Sequence, residues 1–94
     1  MKKVFQVFSD PGHGWVKVPI SVLVALGIEQ KITQFSYIKG DFAYLEEDRD
    51  ASLFYDTYKE LNGVAPVFKT YHGNKESRIR NYQRYVCHAS EVLS

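Results

Sequence analysis

Residues 35–54 have the sequence FSYIKGDFAYLEEDRDASLF, which specifies more of the architecture than any other stretch of the chain. Two short aromatic segments flank Lys39, Gly40 and Asp41, and a glycine between strand-forming segments favours a tight turn. The five charged residues 46–50 then lead into an amphipathic segment. The stretch predicts a β-hairpin whose second strand continues into a helix, with a dense acidic patch at the junction.

The predicted hairpin carries apolar side chains on both of its faces. Phe42 and Tyr44 share one face because alternate residues of a strand point to the same side, and Ala43 and Leu45 share the other. A strand that is apolar on both sides is typical of the interior of a sheet. We therefore expect this hairpin to lie centrally.

The helix that follows the hairpin is the strongest helix prediction in the chain. Its apolar residues recur at helical spacing, at Phe54, Tyr58 and Leu61. Asp48 or Asp50 is expected to cap its beginning, and Gly63 is expected to end it.

The N-terminal part of the chain predicts two strands and a short helix. Residues 4–8 are β-branched and aromatic and precede a Ser-Asp-Pro-Gly turn, and residues 15–18 alternate in strand fashion. Residues 20–26 form an apolar run between Pro19, expected at the first helical position, and Gly27, which is typical of a helix end.

The C-terminal part is less uniform. Residues 64–71 predict a strand, and Pro66 either places it at a sheet edge or delays its start to Val67. Residues 77–85 fit a strand or a helix equally well. Residues 87–94 are expected to fray at the terminus.

Together these elements predict one α+β domain that spans residues 1–94. The order is roughly ββαββαβ, a mainly antiparallel sheet with two helices and a basic C-terminal segment. A chain of 94 residues is too short for a second core.

Charge is distributed unevenly along the chain. The net charge of +1 argues against both a DNA mimic and a general binder of polyanions. Residues 41–60, however, contain seven acids and two bases, a net charge of −5, whereas residues 61–94 contain five bases and two acids, a net charge of +3. The acidic junction and the basic segment are therefore candidate contact surfaces.

Cysteine content and hydropathy favour the cytoplasm. Cys87 is the single cysteine, which excludes an internal disulfide and fits a reducing compartment. The longest apolar run, residues 22–26, is too short for a secretion signal or a membrane span, so no membrane association is expected.

Several short motifs together resemble a known group of proteins. They are HGW at residues 13–15, Pro19, LGI at 26–28, SY at 36–37, YLEED at 44–48, DA at 50–51 and Phe54, with a fainter match at 77–80. This pattern resembles small proteins and domains carried by bacteriophages and other mobile elements. The resemblance implies a phage or mobile-element origin and an accessory role that acts on the host, and it implies no catalytic residue. Several phage proteins of this size inhibit host defence systems.

Catalytic and metal-binding motifs are weak in this chain. His13, between two glycines and beside Trp15, is a candidate ligand site or acid-base group, although a tight strand connection needs the same residues. Ser9, Asp10 and His13 lie too close in one loop to build a hydrolase triad with its oxyanion hole. The His and Cys residues match no metal-ligand spacing, so neither a metal nor a cofactor is expected.

The sequence predicts a non-enzymatic interaction protein that binds a host protein or ribonucleoprotein, to block a defence or regulatory complex. Its contact residues are expected at the acidic junction and in the basic segment: Glu46, Glu47, Asp48, Arg78, Arg80, Tyr82 and Arg84. The alternative is a small single-stranded nucleic-acid-binding protein that uses the Arg and Tyr residues of positions 78–84, since cations and aromatic rings together bind phosphates and bases. A small enzyme built around His13 is a third alternative, and homo-oligomerisation is left open.

Overall fold

A six-stranded mixed sheet with two helices forms the part of the chain that the computed structural model describes, residues 3–75 and 77–86. The α+β class and the expected element order are confirmed. The elements are β1 Val4–Ser9, β2 Gly14–Pro19, α1 Ile20–Leu26, β3 Tyr37–Lys39, β4 Phe42–Glu46, α2 Asp50–Asn62, β5 Val67–His72, a 3-10 helix Arg78–Asn81 and β6 Gln83–Arg84.

The strand order is β5-β1-β2-β4-β3-β6. The β3–β4 hairpin turns at Gly40, which has a φ of 59°, and β4 lies between β2 and β3 as its two apolar faces predict. β5 begins at Val67 and occupies an edge of the sheet, which agrees with both alternatives that Pro66 suggested. It pairs with β1 in the parallel direction, whereas the other pairings are antiparallel.

The main core lies between the helices and one face of the sheet. Alternate strand residues point toward the helices, among them Phe5, Val16, Val18, Ala43 and Leu45. Leu23 of α1 and Phe54 of α2 are completely buried against them. Gly27 and Gly63 end the two helices in the left-handed conformation, as predicted. Leu61 was expected on the buried apolar face of α2, but its side chain is 63% exposed near the end of the helix.

The predicted capping of α2 by Asp48 or Asp50 is wrong. Arg49 precedes the helix without a side-chain cap, and Asp50 is already its first residue. Asp50 is only 1% exposed, and its carboxylate accepts hydrogen bonds from the Thr33 backbone N–H at 3.0 Å, from the Thr33 hydroxyl at 2.8 Å and from the Ser36 hydroxyl. This acid therefore ties residues 33–36 to the start of α2 instead of capping it.

Residues 77–85 form neither one continuous strand nor one continuous α-helix, the two alternatives that the sequence allowed. They form the 3-10 helix Arg78–Asn81, which the Ser77 hydroxyl caps by accepting from the Ile79 N–H, and then the two-residue strand β6 beside β3. The prediction that residues 87–94 fray, together with Cys87 and His88, lies outside the described residues.

Candidate functional site

The sheet face opposite the helices is rich in aromatic and basic side chains. Strand alternation and register place these residues on it: Lys69 and Tyr71 of β5, Gln6 and Phe8 of β1, Trp15 and Lys17 of β2, Phe42, Tyr44 and Glu46 of β4, and Tyr37 and Lys39 of β3. Neither α1 nor α2 packs on this face. It is the surface on which a ligand or partner has access to the sheet.

Residues 77–82, here called the strap, cross this face. Ile79 is buried with Trp15 and Tyr44 in a second apolar cluster, and Tyr82 contacts the Tyr44 ring edge-to-face at 5.0 Å. Burial raises the pKa of Tyr44, and Tyr82 adds to this effect. The strap divides the face into two parts with different chemistry.

Asp10 anchors the strap to the β1–β2 loop. Its carboxylate accepts bonds from the backbone N–H groups of Gly12 at 3.0 Å, His13 at 2.9 Å and Ser77 at 2.8 Å, and from Arg80 Nε at 2.8 Å and Nη2 at 2.9 Å. The Arg80 hydrogen bonds and then the Ser77 N–H hold the pKa of the Asp10 carboxyl well below its ordinary value. Asp10 and Arg80 therefore form a structural pair.

On one side of the strap lie two adjoining hollows. The first, about 520 Å³, is lined by Phe8, Lys17, Tyr44, Tyr71, Lys75, Arg78 and Tyr82, with Ser9, His72, Gly73, Ser77 and Ile79. The second, about 450 Å³, is lined by Lys3, Lys17, Lys69, Phe42 and Tyr71, with Val4, Phe5, Gln6, Pro19 and Val22. Lys17 and Tyr71 belong to both, so we treat the two hollows as one basic groove. Among the described residues no Asp or Glu lines it.

Aromatic rings form the floor of the basic groove and are accessible. Tyr71 is 40% exposed and stacks on Phe8, with ring centroids 5.5 Å apart and planes 20° from parallel. The Lys17 ammonium lies 4.2 Å from the Phe42 ring centroid, and that of Lys69 lies 5.6 Å from the Tyr71 ring centroid. The groove thus presents rings and cations side by side.

On the other side of the strap is a third hollow of about 570 Å³, here called the arginine hollow. Six of the nine residues that the sequence singled out line it: His13, Trp15, Glu46, Asp48, Arg80 and Arg84. Phe35, Tyr37 and Arg49 complete it. The acidic junction and part of the basic segment therefore form one mixed surface instead of two separate surfaces.

The other three singled-out residues lie elsewhere. Arg78 and Tyr82 line the basic groove on one side of the strap, whereas Arg80 and Arg84 line the arginine hollow on the other side. Glu47 is exposed, and its carboxylate lies so close to Gly14 that a β-carbon there would collide with it.

The arginine hollow combines cations, rings and carboxylates. Each of its guanidinium groups lies over an aromatic ring: Arg49 over Phe35 at 5.3 Å, Arg80 over Trp15 at 5.6 Å and Arg84 over Tyr37 at 4.9 Å. Trp15 is only 2% exposed, so it anchors the strap and offers no stacking surface. His13 is exposed, with its ring centroid 6.0 Å from that of Trp15.

One polar pair in the basic groove was not predicted from the sequence. The Ser9 hydroxyl and His72 Nδ1 are 2.8 Å apart, because β1 and β5 run parallel and end together. Ser9 therefore pairs with His72, while Asp10 is occupied by Arg80. The Gly73 N–H, the nearest candidate for an oxyanion donor, already donates to the Ser9 carbonyl at 2.8 Å.

Two cations of the basic groove, Lys17 and Lys69, were not singled out from the sequence. Each stands alone in its own strand, so no charge run marks them. The signal for Lys17 is strand alternation, because it lies between the buried Val16 and Val18 and must point to the opposite face.

In comparisons with known proteins, no family model, curated protein or solved structure matches this chain. Across residues 3–75 and 77–86 no three His, Cys, Asp or Glu side chains lie together as a metal site would require. In the same residues no helix has the length and apolar character needed to cross a membrane. Function is therefore inferred from the geometry of the sheet face.

Proposed function

We propose that this protein binds single-stranded nucleic acid along the basic groove. The observation that carries the proposal is a run of five cations, Lys3, Lys17, Lys69, Lys75 and Arg78, over a floor of aromatic rings, without a carboxylate among the described lining residues. Cations that follow a phosphate backbone beside rings that stack on bases are the features by which proteins hold unpaired strands.

A single strand fits this surface better than a duplex. The bases of a duplex are stacked on one another and present only their edges in the grooves. The exposed face of Tyr71 and the half-buried rings of Phe8, Phe42 and Tyr82 can be used only by bases that are free to stack.

The small net charge of the whole chain does not oppose this proposal. Screening at physiological salt limits the interaction between exposed charges to about 8 Å, so a ligand responds to the charges nearest to it. The exposed acids Asp56 and Glu60 belong to α2, on the opposite side of the sheet from the groove.

The proposal is tested by fluorescence anisotropy with labelled single-stranded DNA, single-stranded RNA and duplex of one sequence. We expect either or both single strands to bind more tightly than the duplex, with an affinity that falls as salt rises. If all five cations neutralise phosphates, the slope of log K against log salt reaches about −3.5, at about −0.7 for each phosphate. Absence of binding by both single strands at low salt would refute the proposal.

Binding of a protein partner at the arginine hollow is the second candidate function. Tyr and Arg are among the residue types that dominate protein interfaces energetically, and this hollow contains Tyr37, Arg49 and Arg84 together with the acids Glu46 and Asp48. Its acids can pair with basic groups of a partner, and complementary charges of this kind speed association. Of the partner residues proposed from the sequence, Glu46, Asp48, Arg80 and Arg84 line this hollow, whereas Arg78 and Tyr82 do not.

Charge reversal tests this second candidate. A variant in which Glu46, Glu47 and Asp48 are replaced by Lys should lose its partner in affinity purification from expressing host cells while keeping a wild-type circular dichroism spectrum. Reversal of Asp56 and Glu60 on α2 provides the control and should retain the partner. Equal recovery of the partner by both variants would remove the acidic junction from the interface.

A host ribonucleoprotein is the partner class that would occupy both surfaces at once. The resemblance to phage and mobile-element proteins supports a host target, and inhibition of a defence complex is the role we propose for such an interaction. The protein would act by occupancy and without catalysis. Gene neighbourhood and the RNA content of purified complexes test this part of the proposal.

A further inference from the structure

The two ends of the basic groove differ in shape. The groove follows β1, because residues from the start of β1 line its second hollow and Phe8 and Ser9 from the end of β1 line its first. At this end the strap and the turn at Gly73 border the groove. No strap residue borders the second hollow. We call the two regions the strap end and the open end.

Each end of the groove holds three cations, with Lys17 shared between them, but hydrogen-bonding groups concentrate at the strap end. Lys75 and Arg78 lie there together with Lys17, and Ser9, His72 and Ser77 also line this end. Within the described residues neither Lys75 nor Arg78 forms an ion pair. The first hollow therefore holds three cations without a described carboxylate to balance them.

We propose that the strap end holds the terminal phosphate of a bound strand, an inference that rests on the proposed nucleic-acid function. An internal phosphodiester carries one negative charge, whereas a terminal phosphomonoester at neutral pH carries about −1.5 to −2 and has three acceptor oxygens. Three cations suit the more highly charged group, and Arg78, an arginine that the open end lacks, can bind two of its oxygens at once. A site bordered by the strap and a turn also suits the end of a nucleic-acid strand better than the middle of one.

The inference is tested with three eight-nucleotide strands of identical sequence, one with a 5′-phosphate, one with a 3′-phosphate and one with two hydroxyl ends. Each competes against the same internally labelled strand. One of the two phosphorylated strands should bind about 2- to 30-fold more tightly than the hydroxyl strand, as expected for two added exposed ion pairs. The end that gives this advantage identifies the direction of the strand in the groove.

Two double variants locate the effect. Lys75→Ala with Arg78→Ala should reduce the ratio of affinities between phosphorylated and hydroxyl strands to about one. Lys3→Ala with Lys69→Ala, which removes the same charge at the open end, should weaken all strands alike and keep the ratio. An unchanged ratio in the strap-end variant would overturn the assignment.

The remaining outcomes separate this inference from the proposed function. Equal binding of the three strands would overturn the terminal-phosphate site and leave the nucleic-acid function intact. Failure of every strand to bind would overturn both. A nucleoside 5′-monophosphate that competes as well as the phosphorylated strand would overturn the strand-end assignment in favour of a free nucleotide.

Discussion

Replacement of Tyr71 by Ala isolates the contribution of stacking to nucleic-acid binding. Tyr71 is 40% exposed on the open sheet face, with Phe8 stacked against its ring and the Lys69 ammonium 5.6 Å from the ring centroid, so only part of the ring is accessible to a base. Alanine substitution of a stacking residue costs about 1–3 kcal/mol per base. Because Phe8 and Lys69 already contact this ring, we take the lower part of this range, about 1–2 kcal/mol, or about 5- to 30-fold weaker binding.

Tyr55 provides a matched control in the same chain. It is 37% exposed and stacks on Phe68 with a centroid distance of 6.3 Å, but it lies on α2, on the helix side of the sheet. Loss of either ring removes one aromatic pair, worth about 0.5–1.5 kcal/mol of folding stability, so both variants should remain folded and destabilised to a similar degree.

The assay is anisotropy with one labelled single strand at fixed salt, together with thermal unfolding of each variant. We expect Tyr71→Ala to bind about 5- to 30-fold more weakly and Tyr55→Ala to bind within about twofold of wild type. Tyr71→Phe should retain binding because the ring remains. Equal affinities of the two alanine variants would refute the stacking argument, and a loss in both would point to a general effect on folding.

Three further predictions concern charge and stability. Lys17→Ala should make the slope of log K against log salt shallower by about 0.7, whereas Lys59→Ala on α2 should leave the slope unchanged. Titrations between roughly 50 and 200 mM salt measure this slope. Asp50→Ala leaves buried donors unpaired and should lower the free energy of unfolding in urea by about 2–3 kcal/mol, whereas the exposed Asp56→Ala should change it little. The pKa of Asp10 is lowered in the folded state from its ordinary value of 3.8. The ionised carboxylate therefore stabilises the fold fully above pH 3.8, and this stabilisation is lost as pH falls below 3.8. The difference in unfolding free energy between wild type and Asp10→Asn should shrink in acid and stay constant from about pH 5 to 7. A difference that grew toward low pH would contradict that sign.

Local patterns were sufficient to predict most of the fold. Alternation over residues 42–45 and a glycine at position 40 predicted the central hairpin, and Gly27 and Gly63 predicted both helix ends. These signals depend on neighbouring residues only, because turn geometry and strand direction are local properties.

Contacts between distant residues explain what the sequence did not predict. Asp50 resembled a helix cap because its partners Thr33 and Ser36 lie 17 and 14 residues away in the chain. Arg80 resembled a free contact residue, yet it pairs with Asp10, 70 residues earlier. No short-range pattern indicates either pairing.

The candidate site could be predicted only in part, because contacts between distant residues also bring its side chains together. Residues near positions 13, 46 and 80 were singled out separately, and only the strand order places them in one hollow. Only the Arg78 side of the basic groove was predicted, because Lys17 and Lys69 each stand alone among uncharged residues in their strands. The register of β5, β1 and β2 is what aligns Lys69, Gln6 and Lys17 across one face.

The most direct test of the central claim is an NMR titration of ¹⁵N-labelled protein with a single-stranded octanucleotide. The account predicts that chemical-shift changes and line broadening concentrate at Phe8, Lys17, Lys69, Tyr71 and Arg78, and that α2 residues such as Tyr55 and Lys59 are unaffected. A spectrum that does not change with added strand, or changes confined to the helices, would contradict the assignment of the basic groove as the nucleic-acid site.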